Sequence, residues 1–363
     1  MSSALLVTDF SWVGISTPVI NTAGYLIDNG WDVKILAIGA DFNRFPLSKK
    51  ICEKIEIINI KRTKSPLADG IKSYILLKDI SKKVSVVFFF DMKAILLALT
   101  LPIKAYRSLI YYSLEFFEPQ GWKHRLLKKL ECVAAKKCNS IITQDEVRAR
   151  YLKADLNVNF VHVVPNSRRG PFQGPKLQRA RLGAPNTERP MKLLFIGTLG
   201  YETCLDKVLD WYEKYSPPIN LIVHGWFVNS SLEKRSRLIE KKSQGGVLIS
   251  TDLVDDDKKS EIYTKADVVF VGFCGQSKNL QLAAGAAGKL YDAMCYGRPV
   301  LALRTPGMTD IVTANNIGRV VDDLADTVHA LGWIRSHYSD LSENLRRAHI
   351  KYSHDWHLSR VVS

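Results

Sequence analysis

Lys289 and Asp292 stand three residues apart, just behind the bare backbone of Gly285-Ala286-Ala287-Gly288. Residues three apart share one face of a helix. A helix start without side chains presents free N–H groups carrying partial positive charge, which suits phosphate. A cation beside that start and a carboxylate one turn on could hold a nucleotide, the first by its diphosphate, the second by its ribose hydroxyls. Leu290, Ala293 and Met294 give this helix an apolar face. Gly297 ends it, Arg298 and Pro299 turn the chain, and Val300-Leu301-Ala302 reads as a buried strand. A packed helix–strand corner of any α/β protein would show the same pattern.

Carboxylates suited to acid–base work stand in Ile110-Tyr-Tyr-Ser-Leu-Glu115-Phe-Phe-Glu118-Pro119, at the end of an apolar run. Glu115 and Glu118 are the leading candidates, because a carboxylate in an apolar cleft can act as a base. Asp9, closing the first apolar run, is the runner-up. Each has a plain alternative as a solvated loop acid paired with surplus lysine. His162 and His224 lie in apolar runs and read as core or hinge residues. Asp255-Asp256-Asp257 imitates an Asp-x-Asp metal motif. It directly precedes a helical segment, where acids favour the positive end of the helix dipole.

The elements that must position these residues alternate. Ala4–Thr8 reads as strand, Pro18–Asp28 as helix and Asp32–Ile38 as strand. The intervening loop holds Gly14, which would let backbone approach a ligand, and Pro18, which suits a helix start. This is the opening of a doubly wound parallel sheet, whose ligands sit at the carboxyl ends of strands. Further strands are expected at Ile55–Ile60, Val84–Phe90, Leu109–Ser113 and Ser140–Thr143. Arg168–Pro190, rich in Pro, Gly and Arg, reads as a linker. A second α/β unit then opens with a strand at 191–197 ending in Gly197-Thr198, followed by a helix at Leu205–Tyr215. Strands follow at Leu221–Val223, Val247–Ile249 and Val268–Val271, and Val312–Val321 is expected to close the sheet.

The segment Gly288–Ala302 resembles the donor-binding helix of GT-B glycosyltransferases of the family 4 type, whose pattern is Glu-x7-Glu followed by Ala-Met-x-x-Gly-x-Pro-Val. Asp292 takes the place of the second Glu and Ala284 that of the first. The Lys-Leu-Tyr-Asp variant is similar to a branch common in bacterial surface-polysaccharide synthesis. Val161-His-Val-Val-Pro165-Asn166-Ser167 resembles the strand that closes the first domain of this fold. Where most relatives carry an Arg and a Lys to grip the diphosphate, this chain has Thr198 and Thr203.

The resemblance implies two Rossmann-like domains facing a cleft. The first, 1–167, would hold the acceptor. A linker, 168–190, would lead to the nucleotide-sugar domain, 191–339, and 340–363 would form a helix crossing back to the first. It implies a donor-binding set of Gly14, Gly197, Thr198, Gly285, Gly288, Lys289 and Asp292, with Arg298 or Arg304 as further cations. It also implies no bound metal and no cofactor beyond the nucleotide sugar.

The 363 residues suit two domains, and 46% hydrophobic content suffices for two cores. The formal charge of +15 fits an anionic membrane surface, an acidic substrate such as a nucleotide, or a solubilising surface. No nucleic-acid-binding motif is legible. Six cysteines without a Cys-x-x-Cys pair suggest reduced thiols in a cytosolic protein. No secretory signal precedes the first strand. Val84–Ile103 is nearly apolar, but Asp91 and Lys93 interrupt it, so strand followed by helix explains it better than a membrane span.

Trp122–Lys137 interleaves Trp122, Lys123, Arg125, Lys128, Lys129, Lys136 and Lys137 with Leu126, Leu127, Leu130, Val133 and Ala134, of which Leu126, Leu130, Val133 and Ala134 share a helical face. It could lie on an anionic leaflet or pack as an ordinary domain helix. The expected activity is sugar transfer from a nucleotide diphosphate-sugar to a hydroxyl of a glycan or polyprenol-linked acceptor. The enzyme would be cytoplasmic, at the inner face of the membrane. The main alternative is a non-catalytic nucleotide-sugar-binding or partner subunit of the same fold. A GT-B epimerase would need further acids that are not identifiable.

Overall fold

The computed structural model describes residues 2–101, 108–175, 189–252 and 259–362. The chain forms two compact units, Met1–Asn166 with His354–Ser363, and Ser167–Ser353.

The first unit is a seven-stranded parallel sheet with β1 (Ser3–Thr8), β2 (Asp32–Ile38), β3 (Glu56–Ile60), β4 (Val86–Phe90), β5 (Ser108–Tyr112), β6 (Ser140–Thr143) and β7 (His162–Val163). Their order is β3-β2-β1-β4-β5-β6-β7. Helices cover the strands, so β4, Val-Val-Phe-Phe-Phe, is buried throughout. The order reverses between β1 and β4, the switch point at which such sheets open a crevice. There Thr8 pairs with Phe90, and Phe90 pairs with Tyr112. Asp9, Asp91 and Ser113 are therefore the first residues beyond three adjacent strand ends. The Val84–Ile103 run divides into β4, a short helix at Asp91–Ile95 and a 3-10 turn at Leu96–Thr100.

The second unit is a six-stranded parallel sheet with β8 (Met191–Leu199), β9 (Ile219–Phe227), β10 (Val247–Ser250), β11 (Val268–Val271), β12 (Val300–Leu303) and β13 (Gly318–Val321). Their order is β10-β9-β8-β11-β12-β13, with the switch between β8 and β11. The closing strand is shorter than Val312–Val321. Thr309–Thr313 is helical instead, with Ile311 and Val312 filling the core from a wide turn and the buried Ile317 directly before the strand. The tail divides: Leu341–Lys351 stays with the second unit and His354–Val362 packs in the first.

Residues 176–188 of the linker and Asp255–Asp257 lie outside the described residues.

Candidate functional site

At the first unit's switch point, Asp91 is the residue around which the geometry converges. It follows the buried β4 and opens the helix Asp91–Ile95. Its φ is +68°, a conformation that aspartate tolerates better than most side chains. Its Oδ1 accepts the N–H groups of Leu114 and Glu115 at 2.6 and 2.9 Å. Burial raises its pKa to about 7, further supported by the charge of Glu115 and opposed by the two amides and Arg148. A carboxyl poised near neutrality can take or give a proton. The sequence reading passed over Asp91 as an interruption in an apolar run. The available signal was its position, directly after the strand that borders the switch.

Asp9 directly follows the neighbouring strand β1 and is ion-paired with Arg62. Burial raises its pKa, against the pull of Arg62 and Lys93. Glu115 joins Asp91 through its backbone, while its exposed side chain has a pKa raised by crowded surroundings and opposed by Arg148. Glu118 is half-buried farther along the loop, and its charge is felt at Tyr151. Gly14 does not face open ligand space. A Cβ there would lie 1.9 Å from the Phe45 carbonyl oxygen, so its glycine serves packing against the Phe45–Pro46 backbone.

In the second unit the helix Gly288–Cys295 begins without a side-chain cap. Ala284 and Gly285 are buried just before it. Gly297 ends the helix at φ +62°, with the Gly174 backbone packed so closely that a Cβ would clash at 2.8 Å. Lys289 is half-buried, with its ammonium 5.3 Å from the Phe195 ring centroid and 4.9 Å from that of Phe273. Burial pulls its pKa down to about 8. Phe195 lies on β8 and Phe273 just beyond β11, so this cation stands at the switch point of the second sheet. Asp292, one turn on, accepts from the Tyr263 hydroxyl at 3.4 Å and lies 3.7 Å from the Lys259 ammonium.

The loop after β8 is tightly closed. Thr203 donates to the Thr198 carbonyl at 2.8 Å and accepts from the Gly200 N–H at 3.2 Å. Gly197 takes φ +108° with nothing within 4 Å of a would-be Cβ. Cys204 and Cys274 form a disulfide, which corrects the expectation of six reduced thiols. They stand 70 residues apart because each follows the end of one of two neighbouring strands, a proximity that local cysteine spacing does not reveal. Arg304 pairs with Asp322, and Arg298 is fully buried.

Residues 178–352, which span the β8 loop, Lys289 and Asp292, match the family model described as glycosyl transferases group 1. The chain has the GT-B fold, and its second unit belongs to the glycosyl transferases group 1 family. No curated protein matches this chain in sequence. Among solved structures it is similar to the lipopolysaccharide outer core galactosyltransferase WaaB (14% identity, 100% of this chain and 99% of that one, TM-score 0.67). It is likewise similar to Anabaena HepE in complex with UDP (11% identity, 100% and 98%, TM-score 0.74). A third is sucrose-phosphate synthase from Thermosynechococcus elongatus (13% identity, 100% and 98%, TM-score 0.72). At these identities the likeness establishes the fold.

The helix Gly121–Ala135 turns outward most of what periodicity grouped as one face, Ala134 excepted. Trp122, Leu126, Leu130 and Val133 are all exposed, Trp122 at 72%. Ala134, Ala135 and Glu131 face inward, with the Tyr111 hydroxyl donating to Glu131 at 2.6 Å. Lys128 is not part of the outer basic face, since its ammonium is taken up by Glu131 and Asp155. Among the described residues, no helix is long and apolar enough to cross a membrane.

Proposed function

We propose that this enzyme moves a sugar from a nucleotide diphosphate-sugar to a hydroxyl of a glycan or polyprenol-linked acceptor in polysaccharide synthesis. The observation that carries this reading is the family match over the unit holding Lys289 and Asp292. Two of the structures it is similar to hold UDP and UDP-glucose, which makes a uridine nucleotide the first donor to try. Negative charge develops on the leaving diphosphate as the glycosidic bond breaks, and stabilising that charge is the main demand of the reaction. Lys289 and the uncapped amides of the helix Gly288–Cys295 supply positive charge in place of the cations replaced by Thr198 and Thr203. Asp292 is assigned to the ribose hydroxyls, with Gly197, Thr198 and Gly285 shaping the backbone around the diphosphate. Asp91 is assigned to the acceptor hydroxyl, with Glu115, Glu118 and Asp9 around it. No metal or cofactor is given a role, as the resemblance implies.

The exposed stripe of Trp122, Leu126, Leu130 and Val133, flanked by exposed Lys123, Arg125 and Lys129, favours a second element of the reading. We propose that it rests on an anionic leaflet, at the cytoplasmic face, and brings the acceptor site to a lipid-linked substrate.

Calorimetric titration with UDP, UDP-glucose, UDP-galactose and a guanosine diphosphate-sugar, with free nucleotide release measured in parallel, tests the donor assignment. Binding and slow release with at least one are expected. No binding to any would overturn it. A chelator is expected to leave turnover intact.

A further inference from the structure

Two side chains of one helix start hold the loop that grips Asp91. The loop Ser113–Phe116 follows β5. Its amides point one way: Leu114 and Glu115 donate to Asp91. Its carbonyls are taken from the other side, by residues that follow β6. Gln144 donates through Nε2 to the carbonyls of Ser113 and Leu114 at 3.0 and 3.4 Å. Arg148 donates through Nη2 to the Leu114 carbonyl at 2.5 Å. Its guanidinium also lies 4.2 Å from the ring centroid of Phe116, in stacking range. Thr143 fixes Gln144 by donating to its Oε1 at 3.0 Å. Asp145 fixes the backbone of Arg148 by capping the helix Glu146–Leu156.

Arg148 is fully buried. A buried guanidinium costs several kcal/mol of desolvation unless fixed carboxylates and hydrogen bonds compensate it. Its charged neighbours are Glu115, Asp145 and Asp91. A hydrophobic residue would fill the same space at lower cost, so a buried cation here calls for a task. We infer that Arg148 and Gln144 are positioning residues for Asp91: they hold the Leu114 peptide so that its amide, and that of Glu115, fix the Asp91 carboxylate in place. Arg148 adds a buried positive charge to the same cluster. This rests on the proposed role of Asp91 and goes beyond it, because neither residue needs to touch a substrate.

The groups facing Asp91 are Glu115 and Tyr111 from the β5 side and Arg148 from the helix Glu146–Leu156. Asp9, one strand over, faces Arg62, Lys93 and Asp69. Among the leading influences on Asp91, the charge of Arg148 favours its ionised form.

Carboxyl 13C NMR on the full chain labelled at aspartate reads Asp91 directly, with D91N assigning its signal. Amide hydrogen exchange reads Leu114 and Glu115. Arg148→Met is expected to raise the Asp91 midpoint by about one pH unit, since a nearby opposite charge is lost. Arg148→Lys keeps the charge, so its midpoint is expected to stay near wild type while both amides exchange faster. Gln144→Ala removes only neutral hydrogen bonds and is expected to speed exchange at the same two amides. Unchanged exchange in Gln144→Ala together with an unchanged midpoint in Arg148→Met overturns the inference. Should Arg148→Met fail to fold, Gln144→Ala and Arg148→Lys decide by the exchange of Leu114 and Glu115 alone. UDP release from UDP-glucose that is unaffected by D91N would instead remove the role given to Asp91, and leave the positioning of its carboxylate standing.

Discussion

Asp9 and Asp91 each stand one residue beyond a paired position, Thr8 and Phe90, on the two parallel strands that flank the switch of the first sheet. The same residue type meets two environments there. Asp9 is ion-paired with Arg62, whereas Asp91 accepts two backbone amides in a crowded site. Burial raises the proton affinity of both, and at Asp9 the charge of Arg62 opposes it.

Asp91 has a stability consequence with a definite sign. Its pKa is raised from 3.8 unfolded to about 7 folded, so the folded state holds its proton more tightly. The associated stability is fully present below pH 3.8 and is lost as pH rises through about 7. Asn keeps an oxygen to accept the Leu114 and Glu115 amides but carries no charge. Asp91→Asn is therefore expected to stabilise the protein at pH 8, by roughly 2–4 kcal/mol at most, and to have little effect at pH 4. The same variant should keep donor affinity and lose turnover, because removal of a base acts on the transition state. Urea unfolding at the two pH values, with UDP titration, checks both. Equal stability at pH 8 would remove the case for a strained, neutral-poised carboxyl.

The donor side has its own pH dependence. Lys289 is pulled down to about 8 by burial, so it loses charge in a range where an ordinary lysine keeps it. If diphosphate binding needs the ammonium, UDP affinity is expected to fall about tenfold between pH 7 and pH 9. Lys289→Ala should weaken UDP far more than uridine and flatten that dependence. Asp292→Asn should weaken uridine and UDP alike, by roughly 1.5–3 kcal/mol for a lost charged hydrogen bond. Calorimetry with both ligands separates the two residues. A Lys289→Ala protein that binds UDP as wild type does would reassign the cation to packing between Phe195 and Phe273.

Much of this site's framework was legible because its strands are mostly apolar runs with clear ends. β2, β6 and β11 and the helix Leu205–Tyr215 lie where the residue pattern puts them. The failures share a cause: periodicity shows which residues group together, not what lies opposite. Leu126, Leu130 and Val133 do form one stripe, but Glu131 bonds inward to Tyr111 and turns that stripe outward. Ile311 and Val312 are buried in a helical turn, so apolar residues alone do not tell that turn from the last strand. Gly14 is small for the sake of the Phe45 carbonyl, a contact across about thirty residues of chain. Asp91 mattered because strand order brings β4 beside β1, and order is not written in any local pattern.

The Cys204–Cys274 bridge ties the β8 loop to the segment after β11, where the Cys274 N–H also donates to the Glu202 carbonyl at 2.8 Å. Closing 70 residues of chain is worth about 4 kcal/mol in the chain-entropy account. Reduction, or Cys204→Ser, is expected to lower the Tm of the second unit by on the order of 10 °C. Because the same bridge borders Thr203 and Phe273, UDP affinity should fall with it. Thermal melts with and without reductant, beside mass spectrometry of the unreduced protein, check this. Identical melts would show that the bridge contributes nothing to stability.

The outer face of the helix Gly121–Ala135 predicts membrane contact of a particular kind. Trp122, Leu126, Leu130 and Val133 are exposed together, so insertion of apolar side chains and attraction of cations should both contribute. Each Lys or Arg near an anionic surface is worth about 1 kcal/mol, and the effect decays within a Debye length. Reversing Lys123, Arg125 and Lys129 to Glu is expected to release the protein from anionic vesicles. Lys128 should be left alone, since reversal there would break its pairing with Glu131 and Asp155 and test folding instead. Trp122→Ser with Leu126→Ser should weaken binding even at high salt, which charge reversal cannot mimic. UDP binding by the second unit should be unchanged in both variants. Sedimentation with anionic and neutral vesicles at low and high salt separates the two contributions. Negligible binding of wild type to either vesicle would mean that the stripe faces something other than lipid, and the membrane element of the proposed function would fall.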